Sequence, residues 1–362
     1  MIGLIKVNID LGDRSYPIYI TTDYSNLAKS MSSAKLNGKI ALITDNNVDK
    51  AQGEACINAL ESNGFNVYKY VIEAGEKSKN LDTVKDIYKF LIDNRFERNS
   101  VLLALGGGVV GDITGFAAAT FLRGINFVQI PTSLLAQADS SVGGKVGVDF
   151  EGKKNIIGAF YQPKFVYLNV NTIKTLPVRE IQAGMAEIVK HGIIRDSEFF
   201  EFIDYSVSKI FNFDEDALQY LAKVNCTIKG AVVEQDEKES GLRAILNFGH
   251  TIGHAIESVY EFKYLHGECV SLGMVAAFKM ACDMEMIEES HMQRVVETLK
   301  KIGLPVNLAG IDVNEVYERM FFDKKVKDNK LTFVLPKSIG EVIQCVVEDE
   351  ALIKNAISYL QQ

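Results

Sequence analysis

Short apolar runs alternate with amphipathic segments through the first half of the chain. Runs with the length and composition of buried strands lie at residues 40–44, 67–72, 101–105 and 127–130. Helical spacing of apolar residues is found at 48–63, 81–94 and 113–121. This alternation predicts an α/β domain in which helices cover both faces of a parallel sheet. Ligands of such sheets bind at the carboxyl ends of the strands.

The pattern changes after Leu176 and Pro177, where strand-like runs almost disappear. Long amphipathic segments follow at residues 178–194, 198–210, 214–239, 247–260, 267–286 and 291–302. We therefore predict an α/β domain over residues 1–176 and an all-helical domain over residues 177–362. A length of 362 residues agrees with this division, because one domain commonly contains about 100–200 residues.

Composition and charge exclude several classes of protein. The formal net charge of −8 argues against a general nucleic-acid or membrane-binding surface, so any anion site must be local. Five scattered cysteines without a Cys-x-x-Cys pair are typical of a reducing compartment. The N-terminal segment lacks the pattern of a signal peptide, and no apolar run is long enough for a membrane-spanning helix. These features predict a soluble, cytoplasmic protein.

Three of the five histidines, His250, His254 and His266, lie in one short window. The first two are four residues apart, so on a helix both imidazoles leave the same face, which suits a divalent metal. A zinc-protease motif needs a glutamate directly after the first histidine, and Thr251 stands there instead. With the carboxylate of Glu268 nearby, the window predicts a metal or catalytic site. The alternative is that these histidines cap or pack the helix.

A glycine-rich turn, Gly106-Gly-Gly-Val-Val-Gly-Asp112, follows the third predicted strand and precedes a predicted helix. It fits the pattern G-x-G-x-x-G, so its backbone N–H groups would hold a pyrophosphate. The usual dinucleotide fingerprint has an acidic residue for the ribose about 20 residues later, and that position is not acidic here. Asp45, upstream, is the candidate instead. The alternative is a tight turn needed only for packing.

Basic residues further along the chain are candidates for binding an anion. Lys145 and Lys154 lie among glycines and small polar residues, where ammonium and backbone N–H groups suit a phosphate or carboxylate. Solvated loop lysines are the alternative. The predicted helix at 178–194 carries Glu187 and Lys190 beside His191, with neighbours too small and apolar for an exposed face. Carboxylates that face histidines inside a helical domain commonly complete a metal site.

Several stretches of the chain resemble the 3-dehydroquinate synthases, a family of sugar-phosphate cyclases. They occur in the family's order at residues 106–112, 130–145, 154–155, 183–190, 241–250 and 265–268. The resemblance spans nearly the whole chain and implies a Rossmann-like α/β domain that binds NAD, followed by a helical domain that binds a metal. It also implies a homodimer, in which Arg123 reaches the active site of the neighbouring subunit.

The resemblance further implies roles for individual residues. A zinc or cobalt ion is expected on Glu187, His250 and His266, which leaves His254 for the substrate. The expected NAD contacts are Asp45, Glu76, Lys79, Gly107, Gly108, Asp112, Thr132, Ser133, Lys145, Lys154 and Thr175. The expected substrate and catalytic contacts are Asp139, Lys145, Lys154, Asn155, Lys190, Lys229, Arg243, Asn247, His254 and one of Lys324 and Lys325. A substrate with a carboxylate and a phosphate needs such buried cations to offset its lost hydration.

The implied activity is that of a lyase of the shikimate pathway, which acts on 3-deoxy-D-arabino-heptulosonate 7-phosphate. NAD takes hydride from a ring carbon, the resulting ketone acidifies the neighbouring C–H bond, and phosphate leaves. Return of the hydride, ring opening and an intramolecular aldol reaction then give 3-dehydroquinate, so NAD is not consumed. We expect Lys145 and His254 to orient the phosphate, which takes the proton as it departs.

Three other functions compete with this interpretation. A sister cyclase would act on a different sugar phosphate, but Arg243, Lys229 and Asn155 favour a substrate that carries a carboxylate. A metal-dependent polyol dehydrogenase, such as glycerol dehydrogenase, would release NADH and would have no need of the basic cluster. A regulator that only binds NAD or a metal would not need Lys190, His254 and Arg243 together.

Overall fold

The structure, a computed structural model, describes residues 4–239, 241–261, 263–321 and 331–362. Its strands are β1 (Ile5–Ile9), β2 (Tyr16–Thr21), β3 (Ile40–Asp45), β4 (Val67–Ile72), β5 (Val101–Gly106), β6 (Asn126–Pro131), β7 (Lys145–Phe150), β8 (Lys153–Phe160), β9 (Val166–Asn169), β10 (Leu331–Ser338) and β11 (Glu341–Val347). Its α-helices are α1 (Leu27–Ser33), α2 (Asn46–Val48), α3 (Glu54–Glu61), α4 (Leu81–Asp93), α5 (Gly108–Thr120), α6 (Val178–Arg195), α7 (Ser197–Phe211), α8 (Glu215–Gln235), α9 (His250–Val259), α10 (His266–Asp283), α11 (Glu289–Ile302), α12 (Val313–Met320) and α13 (Glu350–Tyr359). Lys324 and Lys325 lie outside the described residues.

Seven strands form one sheet in the order β1-β2-β9-β6-β5-β3-β4. The pair β1–β2 is antiparallel, and all other neighbours are parallel. Every residue of the interior strand β5 is buried. This explains why the apolar runs are continuous rather than alternating, since helices cover both faces of a parallel sheet. The predicted parallel α/β architecture is confirmed.

The two faces of the sheet belong to two hydrophobic clusters. Leu102 and Ala104 of β5 pack with α4 and α5, whereas Leu103 and Leu105 pack with α1 and α3. Successive side chains of a strand point to opposite faces, so one strand supplies both clusters. The predicted helix at 48–63 is observed over residues 46–61, with a π-helical stretch at Asp49–Gly53.

A second, two-stranded sheet is the antiparallel hairpin β7–β8, in a segment for which we predicted no strand. Gly147 and Gly158 lie opposite each other in this hairpin. A Cβ at Gly158 would lie 2.4 Å from the carbonyl oxygen of Val146, so the backbones approach too closely for a side chain. Glycines and lysines interrupt the apolar alternation by which strands are recognised, which is why the pattern did not predict this hairpin.

The chain divides into two compact units. The first contains the residues up to Leu176 together with 213–234, and the second contains 177–212 and 235–362. The sequence analysis placed all residues after 176 in the second domain, but α8 packs within the first unit. Asn225 of this helix donates a hydrogen bond to the carbonyl oxygen of Ala138 at 2.8 Å. Amphipathic spacing shows that a helix face is buried, but it does not identify the surface that covers it.

The second unit is largely helical rather than all-helical. Its buried central helix α10 packs against α6, α9, α11 and α13. The antiparallel hairpin β10–β11 belongs to the same unit, and the N–H of Gly340 in its turn donates to the carbonyl oxygen of Ile193 at the end of α6. None of the helices in the described ranges combines the length and apolar character that crossing a bilayer requires.

Candidate metal and nucleotide sites

Glycines allow the helices of the second unit to approach one another closely at the histidine cluster. A Cβ at Gly267 of α10 would lie only 1.9 Å from the carbonyl oxygen of Ala183 in α6. A Cβ at Gly273 would lie 1.8 Å from the carbonyl oxygen of Gly249, the residue that precedes α9. Gly249 itself has a φ of 76°, which favours glycine. The three helices therefore meet backbone against backbone, and this brings His250, His266 and Glu187 together.

Glu187 lies fully buried in α6, where its two carboxylate oxygens have different surroundings. Oε2 accepts a hydrogen bond from the ammonium group of Lys190, which is also buried. Oε1 lies 3.4 Å from Nε2 of His250 and 3.3 Å from Nε2 of His266. Among the described residues, Oε1 has no hydrogen-bond partner of adequate geometry. Leaving a buried charged oxygen unpaired is costly, so its position calls for a cation.

The two histidines present the same ring nitrogen to Glu187 because other groups occupy their Nδ1 atoms. Nδ1 of His250 lies 3.0 Å from the carbonyl oxygen of Phe248. Nδ1 of His266 lies 3.3 Å from Oε2 of Glu257. When each Nδ1–H donates to its acceptor, each Nε2 keeps its lone pair for a metal.

The spacing of these donors fits a tetrahedral metal site. Zinc binds imidazole nitrogen and carboxylate oxygen at about 2.0–2.1 Å, which in a tetrahedron separates neighbouring ligand atoms by roughly 3.3–3.4 Å. The separations of 3.3 and 3.4 Å between Glu187 and the two histidines agree with this value. Two histidines and one glutamate are also the ligand set of several catalytic zinc sites, which keep a further position open.

His254 lies beside this group. Ring nitrogens of His250, His254 and His266 all lie within 4.8 Å of one another. The His254 ring centroid is 5.0 Å from that of His250 and 5.6 Å from that of His266. On geometry alone, either His254 or Glu187 can be the third ligand beside His250 and His266. The assignment of the metal ligands therefore stays a prediction.

Burial and neighbouring charges shift the pKa values of this cluster. Burial would raise the pKa of Glu187, but Lys190 and His250 outweigh it and hold that pKa well below its usual range. Burial lowers the pKa of His250 to about 4, against the opposing effect of Glu187. Burial also lowers the pKa of His266, but the carboxylates of Glu187 and Glu257 outweigh it and raise that pKa to about 10. Positive charge is thus stabilised most strongly around His266.

In the first unit, predicted NAD contacts follow the carboxyl ends of adjacent parallel strands. Asp45 ends β3, Gly107 follows β5, and Thr132 follows β6. Because these strands are neighbours, the three residues line one edge of the sheet. Helix α5 begins at Gly108, and none of the described side chains caps it, so its first N–H groups can bind phosphate. Asp45 also accepts hydrogen bonds from the N–H groups of Asn47 and Val48, both at 2.9 Å.

The remaining predicted NAD contacts lie after neighbouring strands or on α5, except for Lys145 and Lys154, which lie in β7 and β8. Glu76 and Lys79 follow β4, Ser133 follows β6, and Thr175 follows β9. The ammonium group of Lys79 lies 2.6 Å from Oδ2 of Asp112 on α5. Burial raises the pKa of Asp112 to about 6 despite this ion pair. Burial lowers the pKa of Lys79, but the carboxylate of Asp112 outweighs it and raises that pKa.

The predicted substrate contacts of the first unit lie on α8 and around the hairpin β7–β8. The ammonium group of Lys229 on α8 is buried and lies 2.6 Å from Oδ1 of Asp139. Lys145 starts β7, and Nζ of Lys154 in β8 lies 3.9 Å from Oε1 of Glu76. Asn155 has a φ of 52°, and its N–H donates to the carboxylate of Asp149 at 2.7 Å.

Arg123 and Arg243 have contrasting environments. Arg123 is exposed and has a φ of 67° directly after Leu122, whose φ is 51°. Arg243 is buried in the 3-10 helix Leu242–Asn247, which precedes α9 and also contains Asn247. Its N–H donates to the carboxylate of Asp236 at 3.0 Å, and its guanidinium donates to the carbonyl oxygen of Glu237 at 2.6 Å.

Sequence reasoning missed the contact between Glu257 and His266, and it placed Glu268 near a metal. The carboxylate of Glu268 instead binds Arg179 through two hydrogen bonds of 2.7 Å. It also accepts the N–H of Leu265 at 2.8 Å, so it stabilises the start of α10. A usable signal existed for Glu257, which follows His250 by seven residues and therefore shares its helix face.

Two family models together match most of the chain. Residues 69–183 match the model described as 3-dehydroquinate synthase N-terminal, and residues 184–326 match the model described as 3-dehydroquinate synthase C-terminal. A protein of Acetivibrio thermocellus named 3-dehydroquinate synthase is 68% identical over 358 residues, which cover 99% of each chain.

Solved structures of related cyclases have the same fold. A 2-deoxy-scyllo-inosose synthase complexed with carbaglucose-6-phosphate, NAD+ and Co²⁺ superposes with a TM-score of 0.90 at 25% identity, covering 98% of this chain and 99% of that one. A 2-epi-5-epi-valiolone synthase from Streptomyces hygroscopicus with bound NAD+ and Zn²⁺ superposes with a TM-score of 0.89 at 24% identity, covering 97% and 98%. The second likeness supports the fold alone.

Proposed function

The chain belongs to the 3-dehydroquinate synthase family, and we propose that it converts 3-deoxy-D-arabino-heptulosonate 7-phosphate to 3-dehydroquinate and phosphate as a lyase. The observation that carries this proposal is the buried carboxylate oxygen Oε1 of Glu187, placed 3.3–3.4 Å from two imidazole nitrogens. The sister cyclases are similar at only 24–25% identity, whereas a family member of this name is 68% identical.

We propose that Glu187, His250 and His266 hold a zinc or cobalt ion and that the edge of the seven-stranded sheet holds NAD. When bound, NAD supplies reversible oxidation of a substrate ring carbon, and the metal supplies Lewis-acid polarisation of the hydroxyl group at that carbon. The N–H groups at the start of α5 would bind the pyrophosphate. Asp45, at the end of β3, would accept hydrogen bonds from a ribose.

The chain's own cations would bind and orient the substrate. Lys190 and Lys229 are buried, and each is paired with a carboxylate. These lysines lost their hydration when the chain folded. A carboxylate or phosphate therefore binds them without a further cost for desolvating the cations. Arg243 offers a planar guanidinium, which recognises a carboxylate through two parallel hydrogen bonds. His254 is proposed to hold the phosphate as it leaves with the proton.

We also propose a homodimer to which the region around Arg123 and the hairpin β7–β8 contributes. Three large apolar side chains of this hairpin are exposed, Phe150 at 46%, Ile156 at 42% and Phe160 at 48%. Leu122, next to Arg123, is exposed at 40%. Several large apolar side chains exposed along one hairpin are typical of a surface that another chain covers.

The experiment that tests the function measures phosphate release from 3-deoxy-D-arabino-heptulosonate 7-phosphate, with NAD and Zn²⁺ supplied, while NADH absorbance is recorded. Stoichiometric phosphate without accumulating NADH is expected, because NAD is reduced and reoxidised within one turnover. Steady NADH production with a polyol, and no phosphate, would indicate a dehydrogenase. Phosphate release only from a sugar phosphate that lacks the carboxylate would indicate a sister cyclase.

A further inference from the structure

We propose that Glu257 is a positioning residue that sets the metal affinity of the site through His266. This inference rests on the proposed metal site of Glu187, His250 and His266. Glu257 would accept the Nδ1–H of His266 and so keep the Nε2 lone pair available for the metal that Nε2 would share with Glu187. In this role Glu257 acts through the imidazole of His266 and is not itself a metal ligand.

The geometry places the His266 ring between two carboxylates. Oε2 of Glu257 lies 3.3 Å from Nδ1, and Oε1 of Glu187 lies 3.3 Å from Nε2. The two ring nitrogens point in different directions. A carboxylate that accepts the proton of one nitrogen therefore leaves the other nitrogen with its lone pair. A proton held on Nδ1 by Glu257 leaves Nε2 free to coordinate.

The position of Glu257 in the chain also supports this role. His250, His254 and Glu257 lie at positions i, i+4 and i+7 of α9, on one face of the helix. Glu257 is only 9% exposed, and a carboxylate so well buried requires a partner. The partner lies at the first residue of α10. Glu257 thus connects α9, which carries His250, to the ligand on the adjacent helix.

The two histidines differ in the acceptor that holds Nδ1. His250 faces the neutral carbonyl oxygen of Phe248, whereas His266 faces a carboxylate. A charged acceptor makes the imidazole a stronger donor toward a metal, and loss of such a partner typically weakens metal binding about 10–100-fold. The backbone acceptor cannot be removed by substitution, but Glu257 can. Substitution of Glu257 therefore removes the Nδ1 acceptor of His266 while the Nδ1 acceptor of His250 stays in place.

The test compares Glu257→Gln and Glu257→Ala with Glu261→Gln, the same chemical change at an exposed position near the end of α9. Zn²⁺ affinity is measured by competition with a chelator, and Co²⁺-loaded protein is examined by visible absorption. We expect Glu257→Ala to bind Zn²⁺ about 10–100-fold more weakly and Glu257→Gln to lie between it and the wild type. Glu261→Gln is expected to match the wild type. At saturating Co²⁺, both Glu257 variants should show shifted absorption bands, which a merely structural role would not produce.

The two proposals fail in different ways. If the wild-type protein binds neither Zn²⁺ nor Co²⁺, the proposed metal site is wrong. If the wild type binds the metal and Glu257→Gln has unchanged affinity and an unchanged Co²⁺ spectrum, the role of Glu257 is overturned and the metal site stands. Thermal unfolding of the metal-free proteins identifies a variant that is damaged in folding. Should Glu257→Ala fail to fold, the isosteric Glu257→Gln decides the question.

Discussion

Charged residues in the interior of this protein occur in matched groups. Lys190 is paired with Glu187, Lys229 with Asp139, and Lys79 with Asp112. Glu187 and Lys190 are both buried, so removing either one leaves an uncompensated buried charge and commonly costs about 3–5 kcal/mol. Asp112 and Asp139 are partly exposed, and their pairs contribute less. Substitutions at these residues will therefore impair folding as well as activity. Tests of their roles need measurements on the folded protein rather than activity alone.

The histidines of α9 offer a direct test of which residues hold the metal. His250→Ala is expected to lose Zn²⁺, because it removes a nitrogen 3.4 Å from Glu187. His254→Ala is expected to keep Zn²⁺ with an affinity within about threefold of the wild type while turnover falls by roughly 100-fold, the scale of one acid–base or orienting group. Metal content after dialysis and steady-state phosphate release are the measurements. Loss of the metal from His254→Ala would assign that histidine to the metal instead.

The raised pKa of Asp112 makes a contribution to stability that depends on pH. An unfolded aspartate titrates near pH 4, whereas burial raises the pKa of Asp112 to about 6. Between these values the folded chain binds more protons than the unfolded chain, so this group lowers the free energy of unfolding as pH rises. The slope reaches at most about 1.4 kcal/mol per pH unit for one proton.

The variant Asp112→Asn cannot titrate and should lack this contribution. We expect the stability of the variant relative to the wild type to increase from pH 4 to pH 6 and then to level off. Loss of the ion pair with Lys79 adds a penalty that is similar at each pH. Urea denaturation at several pH values measures the difference. Parallel stability curves for the two proteins would contradict the assignment.

Among the secondary-structure elements, α10 has the largest part in organising the second unit. It begins with His266, and Glu268 in its first turn binds Arg179 of α6. Gly267 and Gly273 allow it to contact the backbones of α6 and of the residue before α9. The positions of the proposed metal ligands therefore depend on the spacing between helices as much as on the ligand residues.

Gly267→Ala tests this dependence. The new Cβ would lie 1.9 Å from the carbonyl oxygen of Ala183, so α6 and α10 must separate. We expect a loss of at least about 2 kcal/mol in the free energy of unfolding, together with weaker Zn²⁺ binding. Chemical denaturation and chelator competition provide the two measurements.

Gly230→Ala is the control for this substitution. It also places a methyl group in a helix, but there the obstacle is the terminal Cδ1 of Ile9 at 2.5 Å, which can rotate away. This control should have a small effect on stability and none on metal binding. If the two substitutions had equal effects, the spacing between α6 and α10 would not explain the loss of stability and of Zn²⁺ binding in Gly267→Ala.

At the scale of the whole molecule, the proposed dimer makes Arg123 act in the neighbouring subunit. Its backbone, with positive φ at both Leu122 and Arg123, is held in a conformation that costs energy for such residues. Exposed apolar side chains on β7–β8 lie in the same unit. A strained, exposed arginine of this kind is typical of a residue positioned for a partner rather than for packing within its own chain.

Mixing two inactive variants tests whether Arg123 acts across subunits. Arg123→Ala and His254→Ala should each have little activity alone. After unfolding and refolding together, half of the dimers are mixed and one of their two sites is intact, so about a quarter of wild-type activity should return. Phosphate release by the mixture is the measurement, with each variant refolded alone as the control. No recovery would place Arg123 in its own subunit's site or outside the site.

The sequence by itself determined the parallel sheet, most helices and the motifs of the family. These features depend on local periodicity, glycine content and motif order, which are visible along the chain. Helix α4 was predictable because its apolar residues recur at helical spacing, and strand β5 was predictable because its apolar run is short and ends at glycines. The candidate ligands Glu187, His250 and His266 were named from the family resemblance, because residue spacing alone does not distinguish His254 from the other two histidines.

Only the tertiary structure decided which surfaces these elements cover and which side chains meet. Helix α8 packs with the first unit, although its amphipathic pattern is like those of the helices around it. The hairpins β7–β8 and β10–β11 depend on pairing between strands, which short irregular patterns do not encode. The convergence of Glu187, Glu257 and His266 joins three helices, and it follows from close backbone contacts that no local pattern specifies.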